Sequence, residues 1–478
     1  MQKSPESAKF YSPFFNKRLR LHPVAIACHA KEVRSQSAAA PPIVVTAILF
    51  ALTPAGGFAQ LNSAPLSASQ KQLQIASFET VWSTIRDQHW DVRPGGLDWQ
   101  AIHEEYRPLV DKAESPEQVR GVMRAMLARL KQTHFAILAP GVAEDITSDG
   151  GEGTPGFDVR TLNGHVIVTE TTVVTETTAA ATTVTETNRE SQIRRGWEVL
   201  SAGKWDLPNL VEKLRADAAI NDFAVERAIQ SRLTGPVGIP KHFVFLDGAD
   251  AHVALDVMLR SPRGELAGFG NLPPQRVWFE FRRIGNTGVI RFNEFLDLPR
   301  LMPAFGKAVE ECGKCDGLII DIRGNPGGIG GMAMGMAGWL TDRQNLQLGT
   351  MYMRGATLKF FINPRADAYT GPLAILVDGM SASTSEIFAG GLQDLHRARV
   401  FGTRTAGAAL PSVFTRLPDG DGFQYAVANY ISEGGRALEG NGVTPDVEVK
   451  LTRESLLAGR DAVADAALEW IRQQGKQR

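Results

Sequence analysis

Residues 376–390, LVDGMSASTSEIFAG, combine a buried strand, a turn of small residues and the start of a helix. Ser383 lies in that turn, where free N–H groups and the helix dipole favour negative charge. Acyl transfer requires this arrangement, an exposed nucleophile beside donors for the oxyanion. Serine is also a common N-cap, so the stretch alone leaves a catalytic and a structural interpretation open.

A second predicted strand ends in a glycine-rich turn at residues 321–331, DIRGNPGGIGG. Glycines allow the backbone to approach a bound group closely and to present its N–H donors. The stretch lacks the Gly-Lys-Ser/Thr of a phosphate loop, and Pro326 interrupts the spacing of a dinucleotide fingerprint. The pattern therefore argues against a nucleotide site.

The surrounding chain divides into three regions with different patterns of predicted secondary structure. Helical spacing of apolar residues predicts helices between residues 67 and 138, and short alternating runs predict strands between 155 and 262. From residue 277 onward strands and helices alternate, which is typical of a layered α/β domain. Strands are predicted there at 289–292, 317–321, 373–377 and 398–401, and helices at 302–312, 332–340 and 385–395.

Three stretches in order resemble the motifs of the tail-specific, or C-terminal processing, protease family. They are Asp-φ-Arg-x-Asn-x-Gly-Gly at 321–328, Gly-x-Ser-Ala-Ser-x-Ser-Glu at 379–386, and Val-x-Gly-x-x-Thr-x-Gly at 400–407. The similarity covers about the last 200 residues, a length typical of one catalytic domain. It implies an α/β fold with a crotonase/ClpP-like core, and it places the nucleophile at Ser383.

The sequence departs from the family at the position that follows the third motif. Many members carry a lysine base there, whereas this chain has Ala408. The tricorn-like branch of the family uses histidine in Leu-x-x-Ser-His, which is similar to residues 130–134 here, and a glutamate before Gly-Val-x-Pro-Asp. This resemblance implies His134 as general base, Glu439 as the group that orients it, and Thr133 as a bridging hydroxyl.

The same resemblance implies an oxyanion hole of backbone N–H groups. One donor is expected from Gly327 or Gly328 in the glycine-rich turn, and the other from Thr384 after the nucleophile. Each assignment has a plainer alternative, since a histidine near a helix end often serves as a dipole partner and Glu439 suits a solvated loop.

The region between the helices and the α/β domain resembles a PDZ-like domain in outline. Residues 196–203, GWEVLSAG, are similar to that domain's Gly-Asp-x-Ile-Leu-x-x-Asn-Gly signature, although the segment that normally precedes it is replaced by a Thr/Glu-rich tract at 169–188. That tract suits either a hairpin or a surface loop. A PDZ-like domain would capture a peptide tail by adding it to a sheet edge.

The N-terminus is typical of an export signal. An apolar run at 43–52 is too short to span a bilayer, follows basic residues, and precedes small residues at 57–59. We therefore expect a signal peptide at 1–59, with an over-long start, and a periplasmic or secreted protein without a membrane span. The other predicted domains are a helical subdomain at 60–145, the PDZ-like domain at 150–262 and the catalytic domain at 275–478.

Composition excludes several other classes of protein. The chain has 51 basic and 52 acidic residues, so no global positive field exists to attract nucleic acid. Cys312 and Cys315 form Cys-Gly-Lys-Cys without a second cluster of ligands, which favours a local disulfide or free thiols over zinc. No metal or organic cofactor is expected.

These observations together predict a serine endopeptidase that hydrolyses extended polypeptides through an acyl-enzyme on Ser383. The family name implies recognition near the substrate's C-terminus. A related fold binds retinoids without proteolysis, so a ligand- or peptide-binding protein is the alternative, favoured by Ala408 and opposed by His134 and Glu439. A third reading, a crotonase-like enzyme for thioesters, would need a basic cluster for coenzyme A that the sequence lacks.

Overall fold

The computed structural model describes residues 46–48, 66–139, 151–171, 192–216, 220–270 and 274–475. All of these residues belong to the unit Val44–Arg478. The rest of the predicted signal peptide and residues 172–188 of the Thr/Glu-rich tract lie outside the described residues.

The helices of the described residues are α1 Ala68–Gln88, α2 Trp99–Lys112, α3 Pro116–Ala128, α4 Leu207–Ala216, α5 Asp222–Leu233, α6 Leu298–Glu311, α7 Gly330–Ala337, α8 Thr384–Asp394, α9 Arg453–Leu457 and α10 Ala462–Gly475. The strands are β1 Thr46–Ile48, β2 Ala136–Leu138, β3 Phe157–Leu162, β4 His165–Thr171, β5 Glu198–Ala202, β6 Trp205–Asp206, β7 Pro240–Leu246, β8 His252–Met258, β9 Glu265–Ala267, β10 Gln275–Val277, β11 Phe279–Ile284, β12 Thr287–Phe292, β13 Gly317–Asp321, β14 Gly327–Ile329, β15 Gln347–Met353, β16 Ala356–Phe361, β17 Leu373–Val377, β18 Arg399–Gly402, β19 Ser412–Arg416, β20 Gly422–Ala426, β21 Ala428–Ser432 and β22 Val447–Glu448.

A six-stranded sheet forms the centre of the α/β region, in the order β11-β12-β13-β17-β18-β22. Its strands from β12 to β22 are parallel, and β11 joins them antiparallel. Alternate residues of β13 pack on opposite faces, with Leu318 and Ile320 in the core that contains α6, α7 and α8, and Ile319 in the core under α10. Because neighbouring parallel strands end at the same edge, the loops after β13 and β17 lie side by side.

The helical region consists of α1, α2 and α3 around a core of Phe78, Val81 and Met123. Side chains of Ser67, Asp98 and Ser115 cap the three helices. The helical prediction was wrong for Ala136–Leu138, which is a strand paired with β20. The pairing with β20 overrides local helix spacing there, because Phe135 and Ile137 pack in the same core as Phe423.

The region from Phe157 to Met258 contains a six-stranded sheet, β3 to β8, and the helices α4 and α5. An Asn-Gly turn joins β3 to β4, and both Asn163 and Gly164 have positive φ angles, 52° and 90°. The two cysteines left open by the sequence form a disulfide, Cys312–Cys315. Across the described residues, no helix is both long and apolar enough to cross a membrane.

Candidate active site

Ser383 lies between β17 and α8, in the turn that the sequence singled out. Its φ of 58° is rare for a non-glycine residue, and such strain persists only where the surroundings hold it. Asp378 at the start of the turn accepts hydrogen bonds from the N–H groups of Gly324 (2.8 Å) and Met380 (3.0 Å). The Ser383 side chain is fully buried, and its hydroxyl has no hydrogen-bond partner among the described residues.

Glu386, one turn into α8, fixes the backbone of Ser383. Its buried carboxylate accepts hydrogen bonds from the N–H groups of Ser383 (2.9 Å), Gly407 (2.8 Å) and Ala408 (2.9 Å), and from the Thr405 hydroxyl (2.6 Å). Burial raises the pKa of Glu386 to about 7, against the opposing effect of these donors. Ala408, the position that follows the third motif, is thereby part of the scaffold around Ser383.

The glycine-rich turn after β13 lies against the turn that contains Ser383, which we call the nucleophile turn after its predicted role. Asn325 joins the two, since its carbonyl accepts hydrogen bonds from the Ala382 N–H (3.0 Å) and the Ser385 hydroxyl (2.9 Å). Arg323 anchors the turn's first residues by pairing with both Asp321 and Asp461. Burial alone would raise the pKa of Asp321, but the charges of Arg323 and Arg291 and the hydrogen bonds from Arg323 hold it at about 2.

The two predicted glycine donors differ in availability. The Gly327 N–H donates to Asn325 Oδ1 (2.9 Å) and is therefore not free in this structure. The Phe295 N–H donates to the Gly327 C=O, and the Ile329 N–H donates to the Phe295 C=O. Because backbone groups alternate in direction along a strand, those of Gly328 face the opposite edge of β14. The Gly328 C=O accepts from the Thr384 hydroxyl (2.8 Å), which brings Gly328 beside the residue that follows the nucleophile.

Thr384 is the first residue of α8, and its N–H has no acceptor within the helix. Gly328 and Thr384 thus lie side by side, whereas the Gly327 N–H is bonded within its own turn.

His134 lies in the loop after α3, with φ of 63° and almost no exposed surface. Its Nδ1 is 2.7 Å from the Thr133 hydroxyl, which in turn donates to Glu439 Oε2 (2.9 Å). The Glu439 carboxylate also accepts from the N–H groups of Thr133 (2.8 Å) and Ala409 (3.0 Å). The structure thus brings together the three predicted residues from segments 306 positions apart.

This arrangement determines the tautomer of the imidazole. The Thr133 hydroxyl has one proton and gives it to Glu439, so it accepts the hydrogen bond from His134 Nδ1–H. The Nε2 atom therefore carries a lone pair, and it is buried without a partner among the described residues. Burial lowers the pKa of His134 to about 3 and raises that of Glu439, so the histidine is neutral near neutral pH.

Ser383 and His134 are connected through the adjacent residues Ala408 and Ala409. The N–H groups of Ala408 and Ser383 both donate to the Glu386 carboxylate. The Ala409 N–H and the Thr133 hydroxyl both donate to the Glu439 carboxylate. No hydrogen bond joins Ser383 Oγ to His134 Nε2, since each atom is without a partner in the described chain. Contacts of this kind often tighten only when substrate is bound.

The region 157–258 covers the nucleophile turn. Phe223 of α5 packs with Met380, Ala382 and Ala408 in one buried cluster. Arg160 of β3 pairs with Asp378 (2.9 Å). These contacts help to explain why Ser383 has no exposed surface.

Sequence reasoning assigned no role to Glu386, Asp378 or Phe223. Glu386 could have been recognised, because an acid three residues after a serine that opens a helix often accepts the backbone N–H of that serine. Phe223 lies in the region whose similarity to known motifs is weakest, and no local pattern marks it as an active-site neighbour.

Residues 286–449 match the sequence profile of peptidase family S41, and residues 76–128 match that of the Tricorn protease C1 domain. A probable CtpA-like serine protease of Staphylococcus epidermidis is 30% identical over 173 residues, and one of Staphylococcus haemolyticus is 28% identical over 175. Each alignment covers 36% of this chain and about a third of the relative, 35% and 34%.

Solved structures share the fold over most of the chain. The photosystem II D1 C-terminal processing protease covers 83% of this chain and 99% of its own, with a TM-score of 0.52 and 21% identity. Mature CPAF covers 84% and 97%, with a TM-score of 0.56 and 14% identity. The chain therefore carries a peptidase family S41 domain at residues 286–449, preceded by a Tricorn protease C1 domain at residues 76–128, which confirms the resemblance drawn from its motifs.

Proposed function

We propose that this chain is an exported serine endopeptidase that cleaves extended polypeptides. The observation that carries the proposal is the pair of buried atoms, Ser383 Oγ and His134 Nε2, that have no partner among the described residues. Glu386 accepts the backbone N–H of Ser383, and Glu439 accepts the Thr133 hydroxyl that contacts His134 Nδ1. The names of the S41 relatives favour a peptidase over the binding protein that Ala408 alone would suggest. A periplasmic or secreted location and removal of residues 1–59 are part of the proposal.

In the first step, Ser383 Oγ attacks the carbonyl carbon of the scissile peptide bond while His134 Nε2 takes the hydroxyl proton. The N–H groups of Gly328 and Thr384 stabilise the oxyanion. His134 then gives its proton to the leaving amine, and the acyl group stays on Ser383. Water, deprotonated by the same histidine, hydrolyses the ester and restores the hydroxyl.

Glu439 acts on the base through Thr133 rather than by direct contact. When His134 becomes protonated, the Thr133 oxygen accepts from a charged imidazolium, and Glu439 holds the hydroxyl in that orientation. A low pKa for the buried imidazole makes it a weak base in the closed site, so substrate and the oxyanion must supply part of the proton-transfer driving force.

The PDZ-like assignment of residues 150–262 and capture of a substrate's C-terminus are also proposals. Support comes from the antiparallel sheet β3 to β8 with its two helices, and from the contacts that Arg160 and Phe223 make with the nucleophile turn. Such a domain would position a polypeptide tail close to the site that cleaves it.

An unbiased peptide-library digest tests the function. The full chain is expected to release peptides with new termini, and the Ser383→Ala variant to release none. Cleavage by the variant at the same bonds would assign the activity to a contaminant, and absence of cleavage by both proteins would favour the binding alternative.

A further inference from the structure

Strand β1 comes from the apolar run of the predicted leader, yet it lies inside a sheet of the catalytic region. The five-stranded sheet has the order β14-β1-β19-β20-β2, so Thr46–Ile48 is flanked by strands on both sides. On one side Thr46, Ala47 and Ile48 pair antiparallel with Ile329, Gly328 and Gly327. On the other side Thr46 pairs with Ser412.

Without β1, this sheet has a gap one strand wide, which we call the slot, between Gly327–Ile329 and Ser412–Arg416. Two strand spacings set its width at about 9.5 Å between flanking strands. On the side away from the slot, β14 forms hydrogen bonds with the backbone of Phe295, and β19 pairs with β20. The backbone N–H and C=O of Gly328 therefore face the slot, where in this structure Ala47 is their strand partner.

The slot runs past the nucleophile. Gly328, opposite Ala47, accepts the hydroxyl hydrogen bond of Thr384, the residue after Ser383. At the other wall, Ser412 follows Ala409 by three residues, and the Ala409 N–H is held by the carboxylate that orients the base. A main chain in the slot thus passes between a proposed oxyanion donor and the base region.

We propose that the slot receives the main chain of polypeptide substrates, and that Thr46–Ile48 occupies it as an inhibitory strand of the same chain. The proposal rests on the peptidase function proposed above. Main-chain pairing depends little on side chains, so a tethered segment and a substrate compete for the same groups. Removal of the leader would then both complete export and open the site.

The size of the effect follows from tethering. A segment linked to its site has an effective concentration on the order of 1 mM. If the free segment bound with a Kd of about 0.1 mM, tethering would lower the apparent kcat/KM about tenfold. We expect a change of that order when the strand is released.

The position of the strand is tested by a disulfide in the full chain. Residues directly opposite in an antiparallel pair have Cβ atoms about 4.5–5.5 Å apart, so Thr46→Cys with Ser412→Cys should oxidise readily in a Cys28→Ser background. Thr46→Cys with Val413→Cys is the matched control, because successive residues of a strand point to opposite faces. Equal crosslinking of both pairs, or of neither, would overturn the assignment.

Inhibition is tested on the same proteins and on a proline variant. Oxidation of the matched pair should lower kcat/KM at least tenfold relative to the same protein in reductant, whereas kcat/KM of the control pair, whatever its value, should be the same in both redox states. Ala47→Pro, which removes the N–H that pairs with Gly328, should raise kcat/KM about tenfold, and Ala51→Pro, which alters no residue of Thr46–Ile48, should not.

The outcomes separate this proposal from the function on which it rests. Selective crosslinking with equal activity in both redox states, or unchanged activity of Ala47→Pro, would overturn inhibition by the leader while leaving the peptidase intact. Absence of hydrolysis in every variant, Ala47→Pro included, would contradict the peptidase itself.

Discussion

The region of the proposed nucleophile, called the nucleophile region, and that of the proposed base, called the base region, are built in different ways. The nucleophile region is one continuous stretch, residues 377–388, in which Ser383 and the glutamate that holds its N–H are three positions apart. The base region is assembled from Thr133 and His134, Ala409 and Glu439, separated by up to 306 positions. The first region is therefore encoded locally, and the second exists only when the helical and α/β parts have folded together.

Both regions nevertheless use the same device, a buried carboxylate that accepts N–H groups from the adjacent residues Ala408 and Ala409. Glu386 contacts the nucleophile's own backbone, whereas Glu439 reaches the imidazole only through the Thr133 hydroxyl. We infer that the backbone of Ser383 is fixed more directly than the imidazole of His134. The loss of activity on substitution in the base region should therefore decrease from His134 to Thr133.

The largest effect is expected from the nucleophile region. Ser383→Ala should lower kcat by about 10⁴-fold or more, because no other hydroxyl can form the acyl-enzyme. Ser385→Ala is the matched control, since it loses hydrogen bonds to Asn325 but not the nucleophile. It should cost about 1–2 kcal/mol of stability and keep kcat within about tenfold. Steady-state kinetics and urea unfolding of both variants measure the contrast, and the reverse pattern would contradict the assignment.

The base region is tested next by His134→Gln, which should lower kcat about 10³-fold with little change in KM, because it removes the proton acceptor but no substrate contact. His103→Gln is the control, since that histidine pairs with Glu79 within the helical region. Its kcat should stay within about threefold. A similar loss in both variants would indicate a folding defect rather than a lost base.

A smaller effect should follow from the bridging hydroxyl. Thr133→Val removes the acceptor for His134 Nδ1–H and should lower kcat about 10–100-fold, the value of one hydrogen bond to a charged group. Thr133→Ser keeps that acceptor and should retain most of the activity. Loss of activity in the serine variant would show that the methyl group, not the hydroxyl, matters.

The smallest effects concern stability, where His134 and Glu386 have opposite pH dependence. His134 has a pKa of about 3 in the folded chain, below its value in the unfolded chain. Its contribution to the free energy of unfolding therefore rises with pH between about 3 and 6.5. Glu386 has a folded pKa of about 7, above its unfolded value, so its contribution falls as pH rises from about 4.5 to 7.

Single substitutions should uncover these opposed slopes. Relative to the wild-type chain, Glu386→Gln should make the free energy of unfolding rise more steeply between about pH 5 and 6, by up to about 1 kcal/mol per pH unit. His134→Gln should make it fall over the same range. Urea unfolding at several pH values measures both, and parallel curves for the three proteins would contradict the pKa assignments.

What the sequence predicts follows the same division. The strands Gly317–Asp321 and Leu373–Val377 have the predicted bounds, because continuous buried runs between glycine-rich turns leave few alternatives. The prediction of His134, Thr133 and Glu439 needed a family resemblance, since no local spacing connects them. The sequence could not show that the Gly327 N–H is bonded to the Asn325 side chain, because that contact depends on how the turn folds. Nor could it show that Phe223 covers the turn around Ser383, because that contact depends on how α5 packs.

The most direct test of the central claim is the rate at which a fluorophosphonate labels Ser383 in the full chain with and without its histidine. If an imidazole from the helical region activates a hydroxyl in the α/β region, Ser383 should be modified in the wild-type chain. Labelling should slow at least about a hundredfold in His134→Gln, with no label in Ser383→Ala. Equal labelling rates in the wild-type chain and His134→Gln would contradict the proposed pairing of nucleophile and base.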